Sequence, residues 1–317
     1  MRTTAIDAPR SSEAFRHEAL LYAGQGDFLE GTLSFIRDGI SAQEPILAVL
    51  NSPKIEMLRS ELGGDADSVR FADMALVGHN PARIIPAWRE FVTEHGAGGR
   101  RFRGIGEPIW PARSPEELVE CERHEALLNF AFAGAPTWWL LCPYDTESLE
   151  SSVIEEAHRN HPFVLSGGLA AESALYRGLA AVEEAFDHPL PEPPGRPEEM
   201  TFRSADLDAV RTFVSGLAAA TGFDTGRTGD LILAVNELAT NSLRHGGGRG
   251  VLRMWQVEGA MICEVRDEGR IGDPLVGRRH PSPDGEGGFG LWRESSVRSG
   301  SGQVLPDRLR RARSHVA

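Results

Sequence analysis

Residues 236–246 read NELATNSLRHG and set Glu237, Asn241 and His245 at intervals of four. On a helix, side chains four apart share one face. The apolar residues Leu231, Ile232, Val235, Leu238, Ala239 and Leu243 fall mostly on the other side. The spacing therefore predicts a helix packed against a sheet, with a polar stripe turned away from the core. A carboxylate and an amide one turn apart can hold a hydrated divalent metal. The carboxylate can also polarise a water or a hydroxyl. The run GGG at 246–248 ends the helix where its polar face ends. Taken alone, the segment fits an ordinary surface helix equally well.

Two later segments shift that balance. Residues 260–269, AMICEVRDEG, form a short alternating apolar strand that runs into Asp267 and Gly269. An acidic side chain at a strand end can accept from an exocyclic amine. Residues 285–292, GEGGFGLW, are a glycine-rich loop opening onto an apolar turn. Glycines let the backbone approach phosphates and donate N–H groups to them.

In this order, the three segments resemble the ATP-binding domain shared by gyrase, Hsp90, histidine kinases and MutL, over roughly residues 200–292. The anti-sigma-factor serine kinases of actinobacteria are the branch they resemble most. That fold is an α+β sandwich, here assigned to residues 201–292. The resemblance implies ATP and Mg²⁺ as cofactors. It makes Glu237 the catalytic base and Asn241 the magnesium ligand, with His245 on the same face. Asp267 becomes the adenine reader with Gly269 beside it, and Gly288 and Gly290 become phosphate-loop glycines.

These residues need a scaffold. Residues 187–200, DHPLPEPPGRPEEM, hold five prolines and read as an extended linker between two dissimilar halves. In the first half, FRHEALLY at 15–22 leads in. Helical patterns at 28–41, 53–62, 81–95 and 115–133 then alternate with strand-like runs at 45–51, 69–74, 102–110 and 137–145. PILAVLN at 45–51 is continuously apolar, the mark of a strand covered on both faces. The alternation predicts an α/β fold with a mainly parallel sheet. Residues 146–186 read as largely helical, with 166–186 a connecting helix, and this stretch could pair with a copy of itself as a homodimer. His158 is its local phosphoacceptor candidate, which Pro162 argues against.

The first half resembles the MEDS sensory domain, named for methanogens, methylotrophs and the DcmR regulator, over residues 14–165. The matching runs are HEALLY at 17–22, NPARIIPAW at 80–88, GIGEPIW at 104–110, HEALLNFAF at 124–132, CPYD at 142–145 and HPF at 161–163. The resemblance implies a small-molecule ligand. In α/β sheets a ligand sits beyond the carboxyl ends of the strands. Glu107 and Cys142 to Asp145 follow apolar strands and should line that crevice. Glu125 and Asn129 stand one turn apart on a helix, and Trp110, Trp138 and Trp139 could wall a pocket. His17 completes the candidate sensor residues. Each of these also has an ordinary structural reading as core, cap or ion pair. The scattered spacing of His17, His124 and His161 favours structural histidines over metal ligands.

Bulk properties narrow the classes. With 41% hydrophobic and 25% charged residues, the composition is that of a soluble globular protein. A net charge of −13 argues against nucleic acid as a partner. No apolar run nears the ~18 residues that span a membrane, and MRTTAIDAPR carries no secretory signal, so a cytoplasmic protein is expected. Lys54 is the single lysine and has no glycine loop, which excludes a P-loop. Cys121, Cys142 and Cys263 lie too far apart in sequence for CxxC chemistry and read as buried thiols.

The reading is a ligand-sensing domain controlling an ATP-dependent serine kinase of the anti-sigma-factor type. Its partner would be a sigma factor or an anti-sigma-factor antagonist. The alternative is a non-catalytic sensor with a degenerate nucleotide site. A third reading, an unassisted ATP hydrolase, would release phosphate without a protein acceptor. The tail at 293–317 motivates the non-catalytic alternative: six arginines stand against Glu294 and Asp307, and apolar periodicity is gone, as a shifted reading frame would produce, while the ordinary reading is a solvated, disordered tail.

Overall fold

The computed structural model describes residues 15–96, 101–186, 192–257, 260–269 and 272–279, with two short strand pieces at 298–299 and 302–303. It forms two compact units, each built on its own sheet.

The first sheet has seven strands in the order β3-β2-β4-β5-β1-β6-β7. They are β1 (Phe15–Tyr22), β2 (Ile46–Leu50), β3 (Val69–Asp73), β4 (Phe102–Gly106), β5 (Trp138–Asp145), β6 (Phe163–Ser166) and β7 (Leu169–Glu172). All pairings are parallel except β6 with β7. The helices between them include α1 (Gly24–Ser41), α2 (Ser52–Leu62), the single turn α3 (Met74–Val77), α4 (Ile84–Gly96), α5 (Pro115–Ala131) and α6 (Ser151–Asn160). The mainly parallel α/β sheet expected from the alternating pattern is therefore present. Every residue of β2 is buried, as its unbroken apolar run requires.

Local chemistry fixes the helix starts. Asn51 accepts from the Lys54 backbone N–H at 3.0 Å and caps α2, with Pro53 in the first turn. Ser114 and Glu117 form a reciprocal capping box on α5. Burial then decides the packing. Phe28, Leu33, Phe35 and Ile36 of α1 join Leu20, Ile105 and Leu141 of the sheet in one apolar cluster. On the opposite sheet face, the indole of Trp88 packs against Gly104 and Gly106. A Cβ at either glycine would stand 2.8 or 2.9 Å from that ring.

Two elements differ from the sequence reading. FRHEALLY is not a lead-in; it is the strand β1, flanked by β5 and β6. Its charges disguise it, yet His17 and Glu18 are both buried. Glu18 accepts from the Trp139 indole N–H at 2.8 Å and pairs with Arg16 at 3.1 Å. Residues 166–186 are not one connecting helix. Phe163–Ser166 and Leu169–Glu172 form a hairpin, and a helix, α7, follows only at Leu179–Phe186. The hairpin turns at Gly167 and Gly168, whose φ angles of 54° and 75° only glycine adopts cheaply.

The second sheet has the order β10-β9-β8, built from β8 (Glu198–Arg203), β9 (Arg249–Val257) and β10 (Ala260–Arg266), and is antiparallel throughout. Helices α8 (Leu207–Ala220) and α9 (Thr225–His245) cover it, giving the expected α+β layers. The core joins Val210 and Val214 of α8, Leu231, Val235 and Leu238 of α9, and Phe202, Leu252, Met254, Met261 and Val265 of the sheet. Two-residue strands β11 (Arg298–Ser299) and β12 (Gly302–Gln303) pair antiparallel.

Candidate nucleotide site and sensor crevice

Helix α9 buries Leu231, Ala234, Val235, Leu238, Ala239 and Ser242. The i, i+4 stripe of Glu237, Asn241 and His245 is left at its margin. Glu237 and Asn241 are part-exposed and His245 is exposed. An oxygen-bearing pair of this kind suits a hard, hydrated cation such as Mg²⁺.

Asp267 follows β10 and meets the C-terminal end of α9. The Ser242 hydroxyl donates to Oδ2 of Asp267 at 2.5 Å, and the Gly269 N–H donates to Oδ1 at 2.7 Å. The Glu268 N–H donates to the Gly246 carbonyl at 3.3 Å. Two glycines make this interlock sterically feasible. A Cβ on Gly246 would stand 2.3 Å from the Asp267 carboxyl carbon, and one on Gly269 would stand 2.6 Å from the His245 carbonyl. Each carboxylate oxygen has two lone pairs and takes one protein donor among the described residues, which leaves acceptor capacity for an exocyclic amine. Gly288, Gly290 and most of the tail at 293–317 lie outside the described residues.

Ser242 was missed by sequence reasoning. It sits between the polar stripe and the apolar face and reads as a neutral helix residue. Its one available signal is a buried phase on a helix whose other members in that phase are apolar.

The candidate sensor residues fall on two sides of the first sheet. Glu107, just beyond β4, is buried and accepts at Oε1 from the Tyr22 hydroxyl at 2.8 Å and from Lys54 Nζ at 2.5 Å. Lys54 Nζ also donates to the Tyr22 oxygen at 2.6 Å. Oε2 of Glu107 is buried, with no hydrogen-bond partner among the described residues. Burial pushes the Glu107 carboxyl above its usual range, against the opposing pull of Lys54. Burial, followed by the Glu107 charge, pushes the Tyr22 phenol up as well. Asp145 ends β5 in register with Tyr22. These groups stand at the carboxyl ends of β1, β4 and β5, where an α/β sheet offers its ligand crevice. Sequence reasoning placed Glu107 and Asp145 there but not Tyr22 or Lys54. Lys54 could have been found as the first-turn residue of a helix that leaves a buried strand directly.

His17 and Cys142 point to the opposite face, as strand alternation requires. His17 Nε2 lies 3.4 Å from Cys142 Sγ. Glu125 is buried on α5. Asn129 donates to the Asn160 carbonyl at 2.8 Å, a tie between helix ends. Trp110 is part-buried under the guanidinium of Arg113, 3.7 Å from its ring centroid. All three cysteines are buried and none is in a disulfide, and burial pushes the Cys263 thiol up to about 12.

The model of the MEthanogen/methylotroph, DcmR Sensory domain matches residues 16–162, and that of the histidine kinase-like ATPase domain matches residues 200–293. The chain is a MEDS domain joined to a histidine kinase-like ATPase domain. Comparison with curated proteins gives no match. The MEDS match contains the whole crevice of Tyr22, Lys54, Glu107 and Asp145. The ATPase match contains α9, Asp267, Gly288 and Gly290. The chain is thus a signalling protein with a sensory and a nucleotide-type module. Among the described residues, no helix is long and apolar enough to cross a membrane.

Proposed function

We propose that the MEDS domain binds a small molecule in the Glu107 crevice and that its occupancy governs an ATP-dependent serine kinase of the anti-sigma-factor type. The observation that carries the nucleotide half is the fixed Asp267 carboxylate beside the part-exposed Glu237 and Asn241 stripe. Asp267 would accept from the adenine amine. The Asn241 amide oxygen would hold Mg²⁺, which supplies charge neutralisation on the phosphates. Glu237 would orient the serine hydroxyl of an antagonist-type partner and take its proton. Such catalysis rests mostly on positioning and charge. A sigma factor is the second partner this surface would serve.

The crevice supports a ligand that hydrogen-bonds in a buried setting. Glu107 brings a carboxyl oxygen with spare acceptor capacity, and Lys54 brings a cation over the rings of Tyr22 and Phe28 at 5.0 and 4.9 Å. A polar small molecule with a short apolar body fits that chemistry.

The test is nucleotide titration of the full chain with and without Mg²⁺. Asn241→Ala is expected to weaken Mg²⁺-ATP by about 1–3 kcal/mol while leaving Mg²⁺-free binding nearly unchanged. Equal affinity in variant and parent would remove Asn241 from the metal site. A second reading, nucleotide binding without phosphoryl transfer, is favoured by the loss of apolar periodicity after Trp292. Serine phosphorylation of a candidate antagonist, abolished in Glu237→Ala, would eliminate it.

A further inference from the structure

On the sheet face away from the ligand crevice, four buried side chains converge from elements far apart in sequence. They are His17 of β1, Glu125 of α5, Cys142 of β5 and His161, which follows α6. One donor atom from each lies within 4.8 Å of all the others. We infer that these four residues form a structural zinc site in the MEDS domain.

Geometry supports the assignment. Tetrahedral zinc with bonds of about 2.0–2.3 Å places its ligands about 3.3–3.8 Å apart. The His17 Nε2 to Cys142 Sγ separation, 3.4 Å, is already in that range. The rings of His17 and His161 lie side by side, centroids 4.0 Å apart. His161 Nδ1 lies 2.8 Å from the Ala157 carbonyl, to which it donates. That bond fixes the tautomer and leaves the Nε2 lone pair as the ligating one, the usual outer support of a metal-bound histidine. The Tyr144 ring meets the His161 ring edge-on, centroids 5.5 Å apart, and further fixes its plane.

Charge makes the same point. A thiolate from Cys142, a carboxylate from Glu125 and two neutral imidazoles sum to the negative of a divalent ion. The loaded site is neutral, which suits a place where all four residues are buried. Hard Mg²⁺ and Ca²⁺ are excluded by the sulfur and nitrogen donors, and a mixed N, S, O set suits borderline-soft zinc. Four protein ligands close the coordination sphere, so the ion is structural rather than catalytic. It ties together strands, a helix and a loop that close a long stretch of chain, and its binding therefore counts toward folding. The residues of the nucleotide site take no part in it.

The experiment uses the full chain. Metal content of the purified protein is expected at about one zinc per chain. Chelator is expected to remove it and lower the thermal midpoint, and added zinc to restore both. Cobalt(II) in place of zinc is expected to give the visible bands of a tetrahedral ion and a near-ultraviolet thiolate-to-metal band. Cys142→Ser should lose the thiolate band, and a Cys142→Ser, His161→Gln double variant should lose the metal. If those variants do not fold, the cobalt spectrum of the parent chain decides. Absence of both zinc and cobalt uptake, a cobalt spectrum without the thiolate band, or undiminished zinc in the folded double variant would each overturn the assignment.

Discussion

The hydroxyl of Ser242 on α9 donates to the carboxylate of Asp267 beyond β10 at 2.5 Å. The helix that carries Glu237 and Asn241 is thereby tied to the residue expected to read the base. In the proposed nucleotide site Ser242 would be a positioning group, aiming the Asp267 carboxylate through this hydrogen bond. Ser242→Ala is expected to weaken ATP by about 0.5–1.5 kcal/mol with little change in thermal midpoint. A fluorescent-nucleotide titration beside a melting curve checks both. Unchanged affinity would mean that the Gly269 N–H alone orients the carboxylate.

Gly269 is under a stricter limit, because the atom that its Cβ would meet is backbone. Gly269→Ala must move the His245 carbonyl, 2.6 Å away, or the loop. Overpacking of this kind costs about 1–3 kcal/mol, and nucleotide affinity is expected to fall with it. Chemical denaturation and nucleotide titration of the same sample would show whether both change. A neutral Gly269→Ala variant would contradict the interlock.

In the first unit, Trp88 and Gly104 are expected to be energetically coupled. Gly104→Ala places a methyl against the indole at 2.8 Å and should cost about 1–3 kcal/mol. In a Trp88→Leu background the same change should cost less, by more than about 0.5 kcal/mol. Denaturant midpoints of the four proteins supply the cycle. Strict additivity would show that the ring does not set the limit on residue size.

Glu107 gives a pH dependence of definite sign. Its carboxyl is raised by burial, so the folded state holds the proton more tightly than the unfolded one. The contribution of Glu107 to stability is then fully present below the unfolded value of about 4.3 and is lost as pH rises through the folded value. Glu107→Gln should flatten that decline. Thermal midpoints across the acidic range measure it, and identical slopes in parent and variant would count against the shift.

Much of this was legible in the sequence because it rests on periodicity. The α9 stripe and the unbroken apolar run of β2 are local patterns, and the structure realises both of them. What was not legible depends on tertiary pairing. β1 hides its strand character behind His17 and Glu18, whose polar groups find buried partners only once β5 and β6 lie alongside. The hairpin at 163–172 hinges on Gly167 and Gly168, a turn signal outweighed by nearby helix formers. The scattered spacing of His17, His124 and His161 favoured structural histidines, and the closeness of His17 to Cys142 was not legible, because it needs the parallel pairing that puts residue 17 beside residue 140. Lys54 was dismissed for lacking a glycine loop, although its position at a strand end places it on Glu107.

The central claim is that Asp267 reads adenine in a working nucleotide site. The decisive measurement compares ATP and GTP affinity, with Mg²⁺, for the parent chain and Asp267→Asn. The parent is expected to prefer ATP, because the carboxylate can accept from the adenine amine and repels the guanine oxygen. Asp267→Asn is expected to lose most of its ATP affinity and little for GTP, so that the preference shrinks by about tenfold or more, on the order of 1.4 kcal/mol. Equal loss for both bases, or no ATP binding by the parent chain, would contradict it.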